Sequence, residues 1–80
     1  MKTYCQRLIA PNAPLGNPRR VYLEYAEDGT WIAAYEEGYS GLPKQLYNAI
    51  PLPEIKIGPF EYATWIATAK LSKNVLFYSA

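Results

Sequence analysis

The tripeptide Glu27-Asp28-Gly29, set between VYLEYA and TWIAAYEE, constrains this chain more than any other feature. Both flanking runs are rich in Val, Leu, Ile, Tyr and Trp, which suit a pleated backbone, and the acid–glycine step between them signals a turn. Together they predict a β-hairpin over Val21–Glu37. Loop length decides the register. A two-residue Asp28-Gly29 loop pairs Tyr25 with Ile32 and sets Val21 opposite Glu36, so each face mixes apolar and charged groups. A three-residue loop, a type I turn closed by Gly29 in the left-handed region, pairs Ala26 with Thr30 instead. Val21, Leu23, Tyr25, Trp31, Ala33 and Tyr35 then share an apolar face, and Tyr22, Glu24, Ala26, Thr30, Ile32, Ala34 and Glu36 form the other. This second register also sets Arg20 opposite Glu36 and Arg19 opposite Glu37, a favourable cross-strand arrangement. It is the register expected, because a slip of one residue would turn a strand's core side chains toward solvent.

The rest of the chain falls into short elements around that hairpin. Thr3–Ala10 predicts a first strand, with Tyr4, Gln6 and Leu8 on one side and Cys5, Arg7 and Ile9 on the other. Pro11–Arg19 holds three prolines, two asparagines and a glycine, and reads as a loop. Gly38-Tyr39-Ser40-Gly41 ends the hairpin. Pro43 suits the first position of a short helix, PKQLYNAI; Leu42, just before it, and Leu46, Tyr47 and Ile50 recur at helical spacing and are expected to face the core. Glu54–Ile57 predicts a short edge strand. Phe60–Leu71 contains β-favouring Tyr62, Thr64, Trp65, Ile66 and Thr68. Its alanines, the leading Pro59, the early Glu61, the late Lys70 and Lys73 and a terminating Asn74 favour a helix. Val75–Ser79 is the expected closing strand. The fold class predicted is therefore α+β: a single domain over residues 1–80, with an antiparallel sheet of three to five strands and one or two short helices on one face.

Composition narrows the chemistry. The chain has 80 residues, half of them apolar, which supports one small core rather than disorder. No apolar run reaches the length of a membrane span or a signal peptide, so a cytoplasmic location is expected. There is no histidine, which removes the usual general base and the commonest metal ligand. Cys5 is the one cysteine; it is read as a small buried hydrophobe, since no imidazole is present to activate it. The five glycines stand singly at turns and form no phosphate-binding loop. Glu24 and Glu36 could approach each other on one hairpin face, but Arg20 is expected to neutralise Glu36. No enzyme activity and no cofactor are expected.

Charge layout points to binding. Val21–Pro43 carries five acids and no lysine or arginine, a local charge of −5, while the remainder carries +6. Such asymmetry steers association with a partner of opposite sign. Among twelve aromatics, Tyr25, Trp31, Tyr35, Phe60, Trp65 and Phe77 are expected in the core, and Tyr22, Tyr39 and Tyr47 at the surface, where tyrosine favours protein interfaces. The expectation is a non-enzymatic protein-binding module: an adaptor, a regulatory subunit, or an inhibitor of phage or mobile-element origin. It would present Tyr22, Glu24, Glu27, Asp28, Glu36, Glu37 and Tyr39 to a protein with a basic surface. The alternative is nucleic-acid binding through Arg7, Arg19, Arg20 and Tyr22. A third possibility is homo-oligomerisation through an exposed strand, Glu54–Ile57 or Val75–Ser79.

Overall fold

The computed structural model describes residues 2–11, 18–37 and 42–79, apart from the side chains of Glu37 and Ser79. Within these, β1 (Tyr4–Ala10), β2 (Arg19–Tyr25) and β3 (Trp31–Glu37) form an antiparallel meander. A single 3₁₀ turn (Lys44–Leu46) leads to two two-residue strands, β4 (Ile50–Pro51) and β5 (Ile55–Lys56), which pair in parallel with β1. Helix α1 (Pro59–Leu71) then crosses the sheet, and β6 (Leu76–Ser79) pairs in parallel with β3. The path through the sheet is β4-β1-β2-β3-β6, with β5 also on β1.

The α+β class expected from the sequence is present, but the sheet is mixed rather than antiparallel. Its parallel edges follow from the helix: a strand, a crossover helix and a second strand run the two edge strands in the same direction. Helix α1 begins with Gly58 as its cap, Pro59 inside the first turn and Glu61 beside it, and it carries Lys70 in the last turn, so local charge matches the helix dipole. It stops at Leu71, before the expected Asn74, where the Ser72 N–H reaches back to the Thr68 and Ala69 carbonyls. The expected helix after Pro43 is only the 3₁₀ turn. Of its four proposed core residues, Leu46 is fully buried, whereas Leu42, Tyr47 and Ile50 are exposed.

The turn of the hairpin matches the expectation. Ala26 N–H donates to the Thr30 carbonyl at 2.8 Å, Gly29 N–H donates to the Ala26 carbonyl at 3.0 Å, and Gly29 has φ +88°. Open space surrounds the position a Cβ would take there, so the demand for glycine is conformational.

Beyond the turn the register departs from the expectation. Tyr25 pairs with Trp31, but Glu24 pairs with Ala33 rather than Ile32. Ile32 is the extra residue of a β-bulge, and every later pair moves by one: Leu23 with Ala34, Tyr22 with Tyr35, Val21 with Glu36 and Arg20 with Glu37. Arg19 meets Ala10 across the other ladder. The Trp31 indole N–H donates to the Ala33 carbonyl at 2.9 Å, bridging the bulged residue.

This one-residue shift makes a sheet buried on both sides. Leu8, Ala10, Val21, Leu23 and Ala34 pack under Tyr62, Ile66 and Ala69 of α1, with Trp31 and Trp65 edge to face at 5.4 Å. On the reverse side Cys5, Tyr22, Ala33 and Tyr35 pack under Leu46. The helix and the 3₁₀ turn thus lie on opposite faces, not on one. Ala33 and Tyr35 leave the face assigned to them from the sequence. Phe60, expected in the core, is 87% exposed, and Tyr22, expected at the surface, is 2% exposed. No helix among the described residues is long and apolar enough to cross a membrane.

Candidate functional site at the hairpin

The bulge redistributes the acids of the hairpin. Glu36 turns to the helix face, where its carboxylate accepts the Tyr62 hydroxyl at 3.2 Å. Glu24 stays on the reverse face and accepts the Tyr35 hydroxyl at 3.0 Å. The two carboxylates expected to approach each other therefore lie on opposite sides of the sheet, and the pairing of Arg20 with Glu36 is replaced by a register that sets Arg20 opposite Glu37. Both tyrosine hydroxyls are held well above their ordinary range, first by burial and then by the adjacent carboxylate. They remain donors at neutral pH and tie Glu24 and Glu36 into the fold.

Glu27 and Asp28 differ from these, because both stand exposed at the hairpin tip. Asp28 Oδ1 accepts the Thr30 N–H at 2.9 Å, a bond that closes the turn, and the Thr30 hydroxyl, followed by this N–H, holds the carboxyl below its usual range. Glu27 Oε1 accepts the Lys2 N–H at 3.1 Å. Beside the tip runs an open groove of about 360 Å³, lined by Tyr4, Gln6, Tyr25, Glu27 and Leu52. The Tyr25 hydroxyl donates to Gln6 Oε1 at 3.2 Å, which fixes one wall. The groove offers aromatic and aliphatic surface with a carboxylate at one end.

Of the residues singled out for a protein partner, the structure brings Glu27 and Asp28 together at the surface. Glu24 and Glu36 are partly buried, Tyr22 is enclosed, the side chain of Glu37 is outside the description, and Tyr39 lies outside the described residues. Tyr4, Gln6 and Leu52 were missed as lining residues. The alternation of β1 had placed Tyr4 and Gln6 on one side, but no sequence signal linked that side to the turn 20 residues on.

The basic residues are also divided. Arg7 Nε pairs with Glu54 Oε1 at 2.7 Å, beside a cavity of about 300 Å³ that also touches Cys5, Tyr22 and Leu52. Strand alternation puts Arg7 and Arg20 on the face of Tyr22, and Arg19 on the helix face beside Tyr62 and Lys70. Burial, reinforced by Glu24 and opposed by Arg7, pushes the Cys5 thiol up to about 11, so it is not a thiolate at neutral pH. Among the described residues no cluster of three or more cysteine or carboxylate side chains is placed to hold a metal ion. Compared with protein families, curated proteins and solved structures, the chain shows no significant match to any.

Proposed function

We propose that this is a small non-enzymatic protein-binding module that docks through its hairpin tip. Glu27 and Asp28 would supply the charge and the Tyr4–Tyr25 groove the apolar contact. The single observation that carries the reading is the juxtaposition of that groove, which Glu27 lines, with the exposed, turn-fixed carboxylate of Asp28 next to it. A partner's lysine or arginine fits such a surface: its aliphatic stem lies along tyrosine and leucine while its head meets the acid. The role would be that of an adaptor, a regulatory subunit or an inhibitor in the cytoplasm, acting on a protein with a basic surface. Nucleic-acid binding draws less support, because Tyr22 has no exposed ring for a base to stack on and Arg7, Arg19 and Arg20 are divided between two faces.

Neutralising the tip without disturbing its hydrogen bonds tests the reading. Glu27→Gln and Asp28→Asn keep both acceptor oxygens and remove both charges. Wild-type protein is expected to retain a stoichiometric protein partner from nuclease-treated lysate at low salt, and the double variant to lose it. Equal retention by the two would rule out the tip as the docking surface. Recovery of nucleic acid alone when nuclease is omitted would favour the basic alternative.

A further inference from the structure

The flank of α1 beside the start of β2 and the end of β3 carries a groove of about 440 Å³, larger than the two described above. Its lining from the helix is mainly apolar: Ala63, Ile66 and Ala67 recur at helical spacing, with Pro59 at one end. Charged side chains stand at its rim. Arg19 and Glu36 come from one face of the sheet, because Val21, two residues beyond Arg19, pairs with Glu36. Lys70 comes from the helix, its ammonium 5.3 Å from the centre of the Phe77 ring. Burial and then Glu36 raise the Tyr62 hydroxyl, and Arg19 opposes them, which places the guanidinium near that hydroxyl.

These charges do not cancel. Glu36 already accepts the Tyr62 hydroxyl at 3.2 Å, and no other carboxylate lines the groove among the described residues. Neither Arg19 nor Lys70 forms an ion pair among the described residues. The rim is therefore net positive, two cations against one carboxylate. The other two sites differ, since Glu27 makes the tip groove acidic and the Arg7–Glu54 pair balances the cavity at Cys5. A concave apolar surface with a few convergent charged groups is the form of a small-molecule site.

We infer that this groove binds a small amphipathic acid, a single carboxylate on an aliphatic body. The body lies along Ala63, Ile66 and Ala67. Lys70 stands two helical turns, about 12 Å, from Tyr62 and takes the carboxylate at the end remote from Glu36. Arg19 offsets Glu36 at the other end, so the acid is not repelled. The site is separate from the hairpin tip and does not depend on docking there.

Titration of the full chain with octanoate, followed by amide chemical shifts, tests this, with octylammonium and octan-1-ol as controls. Octanoate is expected to saturate with a Kd on the order of 1 mM, as so small a ligand allows, and to shift Ala63, Ile66 and Ala67 most. Both controls are expected to bind more weakly. Lys70→Gln and Arg19→Gln should each weaken octanoate roughly twofold to fivefold, the worth of a solvent-exposed charge pair. Glu36→Gln keeps an acceptor for Tyr62 and should tighten it by a similar factor. Thermal unfolding checks each variant; Lys70 is exposed, so its substitution serves if Glu36→Gln does not fold. Shifts that do not saturate, shifts largest outside this groove, octylammonium bound as well as octanoate, or charge variants that bind octanoate like wild type would each overturn the inference.

Discussion

The Tyr62 hydroxyl donates to the Glu36 carboxylate at 3.2 Å and stands 3.5 Å from the Arg20 carbonyl, tying α1 to the ends of β2 and β3. The bond exists because the bulge turns Glu36 toward the helix. Tyr62→Phe keeps the ring in the core and removes the donor. It is expected to cost about 1 kcal/mol, the typical net worth of such a bond. Thermal unfolding should show a midpoint lower by roughly 4–8 °C for a domain of this size. An unchanged midpoint would mean that the bond contributes nothing.

Trp31 carries the analogous role at the bulge itself. Its indole N–H spans Ile32 to reach the Ala33 carbonyl, while its ring meets Trp65 edge to face. Trp31→Phe retains an aromatic contact and loses the N–H bond. A loss of about 1 kcal/mol or more is expected in urea unfolding, from the bond and the smaller ring. Faster amide exchange at residues 31–34 should accompany it. Exchange that slows or stays constant there would remove the indole as a brace.

Leu46 of the connecting segment is the fully buried residue that packs on the reverse face among the described residues, with Ala49 beside it. Leu46 is 0% exposed against Cys5, Tyr22, Ala33 and Tyr35, whereas its neighbour Tyr47 is 64% exposed. Leu46→Ala is expected to cost about 2–5 kcal/mol through lost burial and the cavity left behind. Tyr47→Ala should stay within about 0.5 kcal/mol, as surface changes do. Equal effects at the two positions would contradict a two-sided core.

Alkaline pH should weaken the fold. Burial raises the Cys5 thiol and the Tyr25, Tyr35 and Tyr62 hydroxyls above the unfolded values of 9.0 and 10.0. Between the two sets of values the unfolded chain has released protons that the folded chain still holds. Stability from these groups is thus complete below pH 9, and it declines as pH rises through the unfolded values toward the folded ones. The urea midpoint is expected to be flat from about pH 7 to 8.5 and to fall above about 9. Tyr62→Phe should make that fall shallower. A midpoint that rises with pH over this range would reverse the sign.

The sequence was legible where structure is set locally. Glu27-Asp28-Gly29 specifies its turn through one positive φ and one aspartate acceptor, and Pro59, Glu61 and Lys70 mark the helix they occupy. The bulge left no such mark. Alternation discriminates registers when one face of a sheet is wet, and here both faces are covered. Ala33 and Ala34 fit either side equally well, so the choice falls to distant partners, Leu46 on one face and the helix on the other. The errors at Tyr22 and Tyr35 share that cause. Phe60 went astray for a different reason: the helix turns it about 160° from Tyr62, and apolarity alone does not report rotation. The strands β4 and β5 are two residues each, too short for any periodic signal. Of the candidate site, the turn acids were readable, but the groove beside them depends on β1 lying against β2.

Ile32 is the extra residue of the hairpin, and it splits Glu24 and Glu36 between two faces of the sheet. Cross-strand proton–proton contacts in a nuclear Overhauser spectrum measure this directly. Contacts of Leu23 with Ala34 and of Val21 with Glu36 are the expected result. Contacts of Leu23 with Ala33 and of Val21 with Tyr35 would contradict it, because that regular ladder returns Glu24 and Glu36 to the same face.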